Sequence, residues 1–168
     1  MNLEPGTFSL YIDTPIGKIR ISGTDEFISE VHFCNDDDDG VSSENVPPLL
    51  HECAAQLLGY IAGSRNDFQL PLNQPGTDFQ QKVWNELTKI PFGKTISYLD
   101  LARRLGDEKT IRAAGTANGK NNIAIIVPCH RVIGSDGSLT GYAGGLHRKE
   151  WLLRHEGSWP VGGQTELF

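Results

Sequence analysis

The spacing of hydrophobic residues changes character at the segment PLNQPGT (71–77), and that change divides the chain. Before it, apolar positions alternate: Phe8, Leu10 and Ile12, then Ile19 and Ile21, then Ile28, Val31 and Phe33. A period of two puts successive side chains on opposite faces, so each run predicts a half-buried strand. Thr14-Pro15-Ile16-Gly17 supplies a turn between the first two. Leu49, Leu50, Cys53, Leu57 and Leu58 then recur at helical spacing over residues 47–59, which makes Cys53 a small core residue. The run from Asp36 to Gly40 reads as a solvated loop, because it lacks the spaced carbonyl and Glu ligands of a calcium site. Residues 1–76 are thus expected to form an N-terminal domain of α+β type, an antiparallel sheet with one helix.

After the break the signals are helical. Thr77 with Gln80 forms a capping box ahead of Phe79, Val83, Leu87 and Ile90 on one face, with Trp84 packed in the same helix and Pro91 and Gly93 closing it. Ser97 is placed to cap YLDLARRL, Gly106 stops that helix, and a second helix is expected over 109–118. Helix, Gly-containing turn, helix is the outline of a helix-turn-helix, a shape that many helix pairs share. Ala113, Ala114 and Gly115 would let its second helix approach another surface closely, and Arg112 projects from the same helix. Ile123 to Val127 reads as a short buried strand ending at Pro128-Cys129-His130-Arg131. A Gly-rich loop leads from there to the amphipathic HRKEWLLRHEG, with Trp151 and Leu152 inside. The final eleven residues look irregular. Residues 77–168 form the second expected domain.

Charge separates the two halves. Residues 1–76 carry twelve Asp and Glu against three Lys and Arg, whereas residues 77–168 carry nine against twelve. Phosphate contacts need cations, so only the second half could face nucleic acid comfortably. Three cysteines do not make a secreted disulfide framework. The first thirty residues lack a basic start followed by an apolar run, and no eighteen-residue apolar stretch occurs. The expectation is a soluble protein of the reducing cytoplasm.

Cys129 follows an apolar run and a proline, and its neighbours His130 and Arg131 could hold a thiolate. Side chains of adjacent residues on a turn rarely face each other, so proton transfer between Cys129 and His130 calls for a bridging water. Glu156, just after the last helix, is a candidate to orient the imidazole. These residues leave two readings open, a nucleophile or a buried structural thiol beside a satisfied histidine.

The stretch from 77 to 157 closely resembles the catalytic domain of the O6-alkylguanine-DNA alkyltransferases, through RAAGTANGKNN, IVPCHRVI and GYAGGLHRKEWLLRHEG in that order and spacing. TPIGKIRIS and the strand ending VHFC resemble the family's smaller N-terminal domain. The resemblance implies a ribonuclease H-like first domain and a winged-helix-like second one. The implied activity is stoichiometric DNA repair: an alkyl group passes from O6-alkylguanine, with O4-alkylthymine as a second substrate, to Cys129, and the protein is consumed. It also implies a relay from Glu156 through His130 and water to Cys129, with Asn121 tying together the turns around the site. Tyr98 would bond the purine as it leaves, and Arg112 would fill the gap in the stack when the base rotates out.

By the same resemblance Ala113, Ala114 and Gly115 would approach the minor groove of double-stranded DNA, where sequence information is sparse. The carbonyls of Cys129 and Val132 and the amides near Tyr142 and Ala143 would recognise the base. No cofactor is implied. Some family members hold zinc in the N-terminal domain, but Cys34, Cys53, His32 and His51 lack tight metal spacing, so no metal is expected. The chain is expected to act as a stand-alone, constitutive monomer, with cooperativity on DNA left open. Two readings from other classes compete: a lesion-binding helix-turn-helix protein in which Cys129 is incidental, and a cysteine hydrolase that turns over repeatedly.

Overall fold

The computed structural model describes residues 6–35 and 37–160. They fall into two compact units. The first runs to Gln74 and takes in Asn122–Ile126; the second comprises Pro75–Asn121 and the chain from Val127 onward.

In the first unit, β1 (Phe8–Thr14), β2 (Gly17–Gly23) and β3 (Ile28–Phe33) form an antiparallel sheet in the order β1-β2-β3, with Leu10 opposite Ile21 and Ile21 opposite Val31. The alternation in the sequence therefore becomes the pleat. Helix α1 (Pro48–Ile61) lays Leu50, Cys53, Leu57 and Tyr60 against the sheet, and these residues, with Ile19, Ile21 and Ile28, are fully buried. The other face of the central strand β2 is also covered, which the reading of 36–40 as a solvated loop did not anticipate. Asp36 itself lies outside the described residues, but Asp38 accepts from Arg20 at 2.8 Å and from the Tyr11 hydroxyl at 2.5 Å. The Ser42 and Ser43 hydroxyls accept from the backbone of Tyr11 and Ser9. Arg20, 3% exposed, would be an unpaired buried charge without Asp38 and Glu30, so this segment closes onto the sheet.

The second unit is mostly helical. Helices α2 (Asp78–Leu87) and α3 (Tyr98–Arg104) each begin in a capping box, Thr77 with Gln80 and Ser97 with Asp100, in which both reciprocal bonds are present. A 3₁₀ turn, Glu108–Thr110, leads into α4 (Ile111–Gly119). Trp84 fixes α2 to α4 by donating its indole N–H to the Ala117 carbonyl at 2.9 Å. Two short strands, β4 (Ile96–Ser97) and β5 (Val132–Ile133), pair in parallel, and α5 (Leu146–His155) closes the unit. On α5 the buried positions are Lys149, Leu152 and Leu153. Trp151, expected inside, is only half-buried and stacks on His155 with ring centroids 4.8 Å apart. Residues 161–168, most of the tail expected to be irregular, lie outside the described residues.

One expected element does not form. Ile123 makes a single bridge to Val31, flanked by bonds from Val31 to Asn122 and from Ala124 to Val31, and no strand continues to Val127. Ile126 instead donates to Ala124, and Ile125, at the centre of that three-residue turn, has φ 70°. A β-branched residue there carries strain of about 1–3 kcal/mol. Burial of Ile123 and Ile125, 0% and 1% exposed, holds the turn in place.

Candidate active site

Cys129 is aimed by two consecutive tight turns. Pro128 (φ −82°, ψ 63°) sits at the centre of a three-residue turn in which Cys129 N–H donates to Val127 O at 2.8 Å, the geometry of an inverse γ-turn. A single 3₁₀ turn, Cys129–Arg131, follows and runs directly into β5. Asn121 holds the approach by donating its amide to Val127 O at 2.8 Å, and it also hydrogen-bonds the Cys129 thiol. The β4–β5 ladder, Ile96 opposite Val132 and Ser97 opposite Ile133, ties the start of α3 to the residues just after the Cys129–Arg131 turn.

Glu156 caps α5, where the helix dipole places negative charge and disfavours a carboxylate. Three donors in the core compensate for it. His130 Nε2 lies 2.8 Å from Oε2, and Arg131 makes a forked pair, Nε to Oε1 at 2.8 Å and Nη2 to Oε2 at 2.9 Å. The third Arg131 bond goes to Ile90 O at 2.6 Å. Burial alone would raise the Glu156 carboxyl, but the bonds from His130 and Arg131 outweigh it and hold the group far below the usual carboxylate range. Burial also dominates at His130, lowering it in spite of Glu156, so the imidazole is neutral. An ionised Glu156 can only accept, which fixes the proton on Nε2. Nδ1 is buried, makes no hydrogen bond among the described residues and keeps its lone pair for a proton.

Arg131 therefore does not hold a thiolate, as its position beside Cys129 suggested; its guanidinium is committed to Glu156 and Ile90. Burial raises the Cys129 thiol, against opposing pulls from Asn121 and Lys149, and the resting group is protonated. A thiol in this state would need a base before it could act as a nucleophile, and the neutral imidazole of His130 belongs to the next residue.

The other expected residues are distributed around this centre. Tyr98, the first residue of α3, donates its hydroxyl to Thr140 O at 3.0 Å, which links it to the Gly-rich loop, and burial raises its phenol. Tyr142, in that loop, has its hydroxyl pushed well above the ordinary value by burial, while Ala143 is exposed. Gly145, with φ 95°, turns the loop into α5; a Cβ there would stand 2.9 Å from the His147 ring. Arg112 and Ala113 are exposed on the first turn of α4. Ala114 is fully buried, so it serves helix packing and offers no surface to DNA. At Gly115 a Cβ would touch the Tyr98 ring at 3.6 Å.

Two residues of the site went unremarked in the sequence. Asn118, 4% exposed, directs its amide at Cys129 O, 3.5 Å away. Lys149, fully buried, donates to Val132 O, Thr140 O and Gly141 O at 2.7, 2.8 and 3.3 Å. The signal for Lys149 was present: residues 149, 152, 153 and 156 share one helical face, and a lysine on an apolar stripe needs a reason. Among the described residues no three His, Cys, Asp or Glu side chains gather as a metal site, and no helix is long and apolar enough to cross a membrane.

The class is defined by an α+β unit and a helical unit that carries a free, buried cysteine on a tight turn next to a Glu-His pair. The comparisons narrow it. Residues 8–74 match the 6-O-methylguanine DNA methyltransferase ribonuclease-like domain, and residues 78–158 match the DNA binding domain of the same family. A methylated-DNA--protein-cysteine methyltransferase of Methanosarcina acetivorans is 45% identical over 153 residues, covering 87% of this chain and 96% of that protein. The crystal structure of Mycobacterium tuberculosis O6-methylguanine methyltransferase superposes with a TM-score of 0.80 at 38% identity, covering 96% and 99% of the two chains. A structure of the Mycobacterium tuberculosis OGT in complex with DNA gives the same score at 39% identity, covering 95% and 99%. The chain belongs to the 6-O-methylguanine DNA methyltransferase family.

Proposed function

We propose that Cys129 is the residue that accepts the alkyl group in the reaction of this family, DNA repair by transfer of an alkyl group to a cysteine of the protein. The observation that carries the assignment is the buried Glu156–His130 pair, which leaves Nδ1 of a neutral imidazole as a base beside the thiol. Among the described residues no Glu-His pair acts on the other two thiols: Cys34 is set among Asp38, Arg20 and Lys18, and Cys53 is buried beside Glu52.

In the proposed step, O6-alkylguanine in double-stranded DNA is turned out of the stack into the site, reached from the minor groove by α4. His130 takes the thiol proton through one water, the sulfur attacks the alkyl carbon in line, and the carbon–O6 bond breaks with its electron pair going to guanine. Tyr98 supports the purine as it takes up that charge, and a proton restores neutral guanine. The carbonyls of Cys129 and Val132 and the amides near Tyr142 and Ala143 read the base, and Asn121 keeps the turn in register. O4-alkylthymine is a second substrate of the same site. Residues 77–168 carry the reaction and residues 1–76 form the companion domain. The chain works as a monomer in the cytoplasm, where a free thiol persists.

Once the sulfur is a thioether it has no leaving group to return, because thiolate departs poorly from an unactivated carbon. Titration with excess DNA carrying one labelled methylguanine should give a single burst of one methyl per protein, located on the Cys129 peptide by mass. A count that keeps rising with time would reject suicide transfer in favour of a turning-over hydrolase.

Arg112, exposed on the first turn of α4, is proposed to fill the space left by the rotated base. Arg112→Ala should slow repair of duplex DNA by about ten- to a hundredfold, the scale of unstacking one base, and leave reaction with soluble O6-benzylguanine unchanged. Equal losses on both substrates would assign Arg112 to folding or chemistry instead.

A further inference from the structure

Lys149 is a buried cation that no carboxylate of the described residues pairs with. Its side chain is fully enclosed, its ammonium donates to three neutral carbonyls, and it lies 5.7 Å from the centre of the Tyr98 ring. Among the described residues no ion pair reaches it. Enclosing an ammonium on neutral acceptors alone carries a desolvation cost that an apolar side chain on the same stripe would avoid. Such a charge is explained by a negative charge that arises only during function.

The groups that surround it identify that charge. From the turn after Pro128 come Cys129 and His130; from α3, Tyr98; from the Gly-rich loop, the carbonyls of Thr140 and Gly141. The Arg131–Glu156 pair lies behind His130. Val132 O, which accepts the shortest of the three ammonium bonds, is three residues from Cys129. Glu156 is already saturated by His130 and Arg131, so the remaining group of the protein itself that becomes an anion during the step is the sulfur.

We propose that Lys149 is the built-in counter-ion of the Cys129 thiolate: its ammonium pins the loop carbonyls of Thr140 and Gly141 beside the nucleophile and stabilises the negative sulfur that forms when His130 removes the thiol proton. This rests on Cys129 being the acceptor. Lys149 neither gives nor takes a proton in the step; the thiol proton goes to His130, the S–C bond forms and the C–O6 bond breaks. The two groups influence each other accordingly. Burial brings Lys149 down to about 8 while Cys129 pulls it back up, and Lys149 in turn opposes the burial that raises Cys129. Alkylation ends this coupling, because a thioether, unlike the resting thiol, cannot be ionised.

The test compares the full-length wild type with Lys149→Met, which keeps the apolar stem and removes the charge. The rate of Cys129 alkylation by soluble O6-benzylguanine is followed from pH 6 to 10, with the modified peptide identified by mass. Loss of the cation should move the pH–rate midpoint upward by about one unit, a roughly tenfold slower reaction at pH 7, with the two rates converging at high pH. A uniformly lower rate with an unmoved midpoint would show a structural role only and overturn the proposal.

Should Lys149→Met not fold, the wild type itself supplies the answer. The Lys149 side chain, followed by NMR of isotope-labelled lysine through the alkaline range in which the Cys129 thiol ionises, should lose the thiolate-linked part of its titration after one equivalent of methyl has been placed on Cys129. An unchanged titration would also overturn it. Modification on a residue other than Cys129 would reject the acceptor assignment first, and the counter-ion with it.

Discussion

Replacing Cys129 by serine is expected to stop methyl transfer while leaving binding of the lesion largely intact. A hydroxyl fills nearly the same space as a thiol, and the contacts that fix the turn survive the exchange: Cys129 N–H to Val127 O, Asn121 to Val127 O and Asn118 to Cys129 O all involve main-chain atoms of the loop. What disappears is the nucleophile. Burial raises the thiol and lowers His130, so the proton leaves only as the sulfur attacks, and a thiol gives it up far more readily than an alcohol does. A serine hydroxyl holds its proton far more tightly, and its oxygen is the weaker nucleophile toward an alkyl carbon. Incubating Cys129→Ser with DNA that carries a labelled methylguanine, then counting label on protein and measuring retention on the same DNA, separates the two properties. Transfer near the wild-type rate would reject Cys129 as the acceptor. Loss of binding together with transfer would mean that the side chain shapes the pocket.

Local signals were legible in the sequence and relationships across the chain much less so. The capping box at Thr77 and the cap at Ser97 are set within four residues, and both form, the second with Asp100 completing a box that the cap alone did not announce. The strand alternation in residues 8–33 is likewise a property of each segment. Residues 123–127 show the limit: an apolar run is compatible with a strand or with any buried segment, and pairing decides which. Here Val31 offers one bridge, and the turn at Ile125 ends it. Arg131 shows a second limit. Adjacency to Cys129 suggested a role at the sulfur, whereas its guanidinium reaches a carboxylate 25 residues away, a partner that periodicity cannot reveal. Lys149 escaped because the helical stripe was read for its apolar members alone. The roles of Asn121, Tyr98 and Arg112 came from family resemblance. Their residue types would not have singled them out, since an asparagine before a turn, a tyrosine after a cap and an arginine on a helix are ordinary.

Substitution of Glu156 should damage stability and reaction together, in a manner that pH can resolve. The carboxylate is fully enclosed and holds two buried donors, His130 and Arg131. Removing one partner of such a group strands the others without hydration, a loss of about 3–5 kcal/mol. Glu156→Gln preserves shape but offers one acceptor oxygen, and its amide N–H₂ must point at a donor. For a chain of this size each kcal/mol moves Tm by roughly 2–4 °C, so a fall on the order of 10 °C is expected at neutral pH. With the imidazole no longer held as the Nε2–H form, methyl transfer should slow as well.

The sign of the pH dependence follows from the shifts. Glu156 is depressed in the folded protein, so its contribution is complete above its ordinary value of 4.5 and is lost progressively as pH falls below that. His130 is depressed as well: the unfolded chain takes up a proton below about 6.5 that the folded site resists, and this erodes stability from there downward in any variant that keeps the buried ring. Wild type and Glu156→Gln should therefore differ most between pH 5 and 8 and draw together in stronger acid, while both lose stability below pH 6.5. Thermal unfolding of the two proteins from pH 8 to pH 3 tests this. A difference that stayed constant down to pH 3 would mean that the ionised carboxylate is not what holds His130 and Arg131, and the neutral Nε2–H imidazole on which the base depends would lose its support.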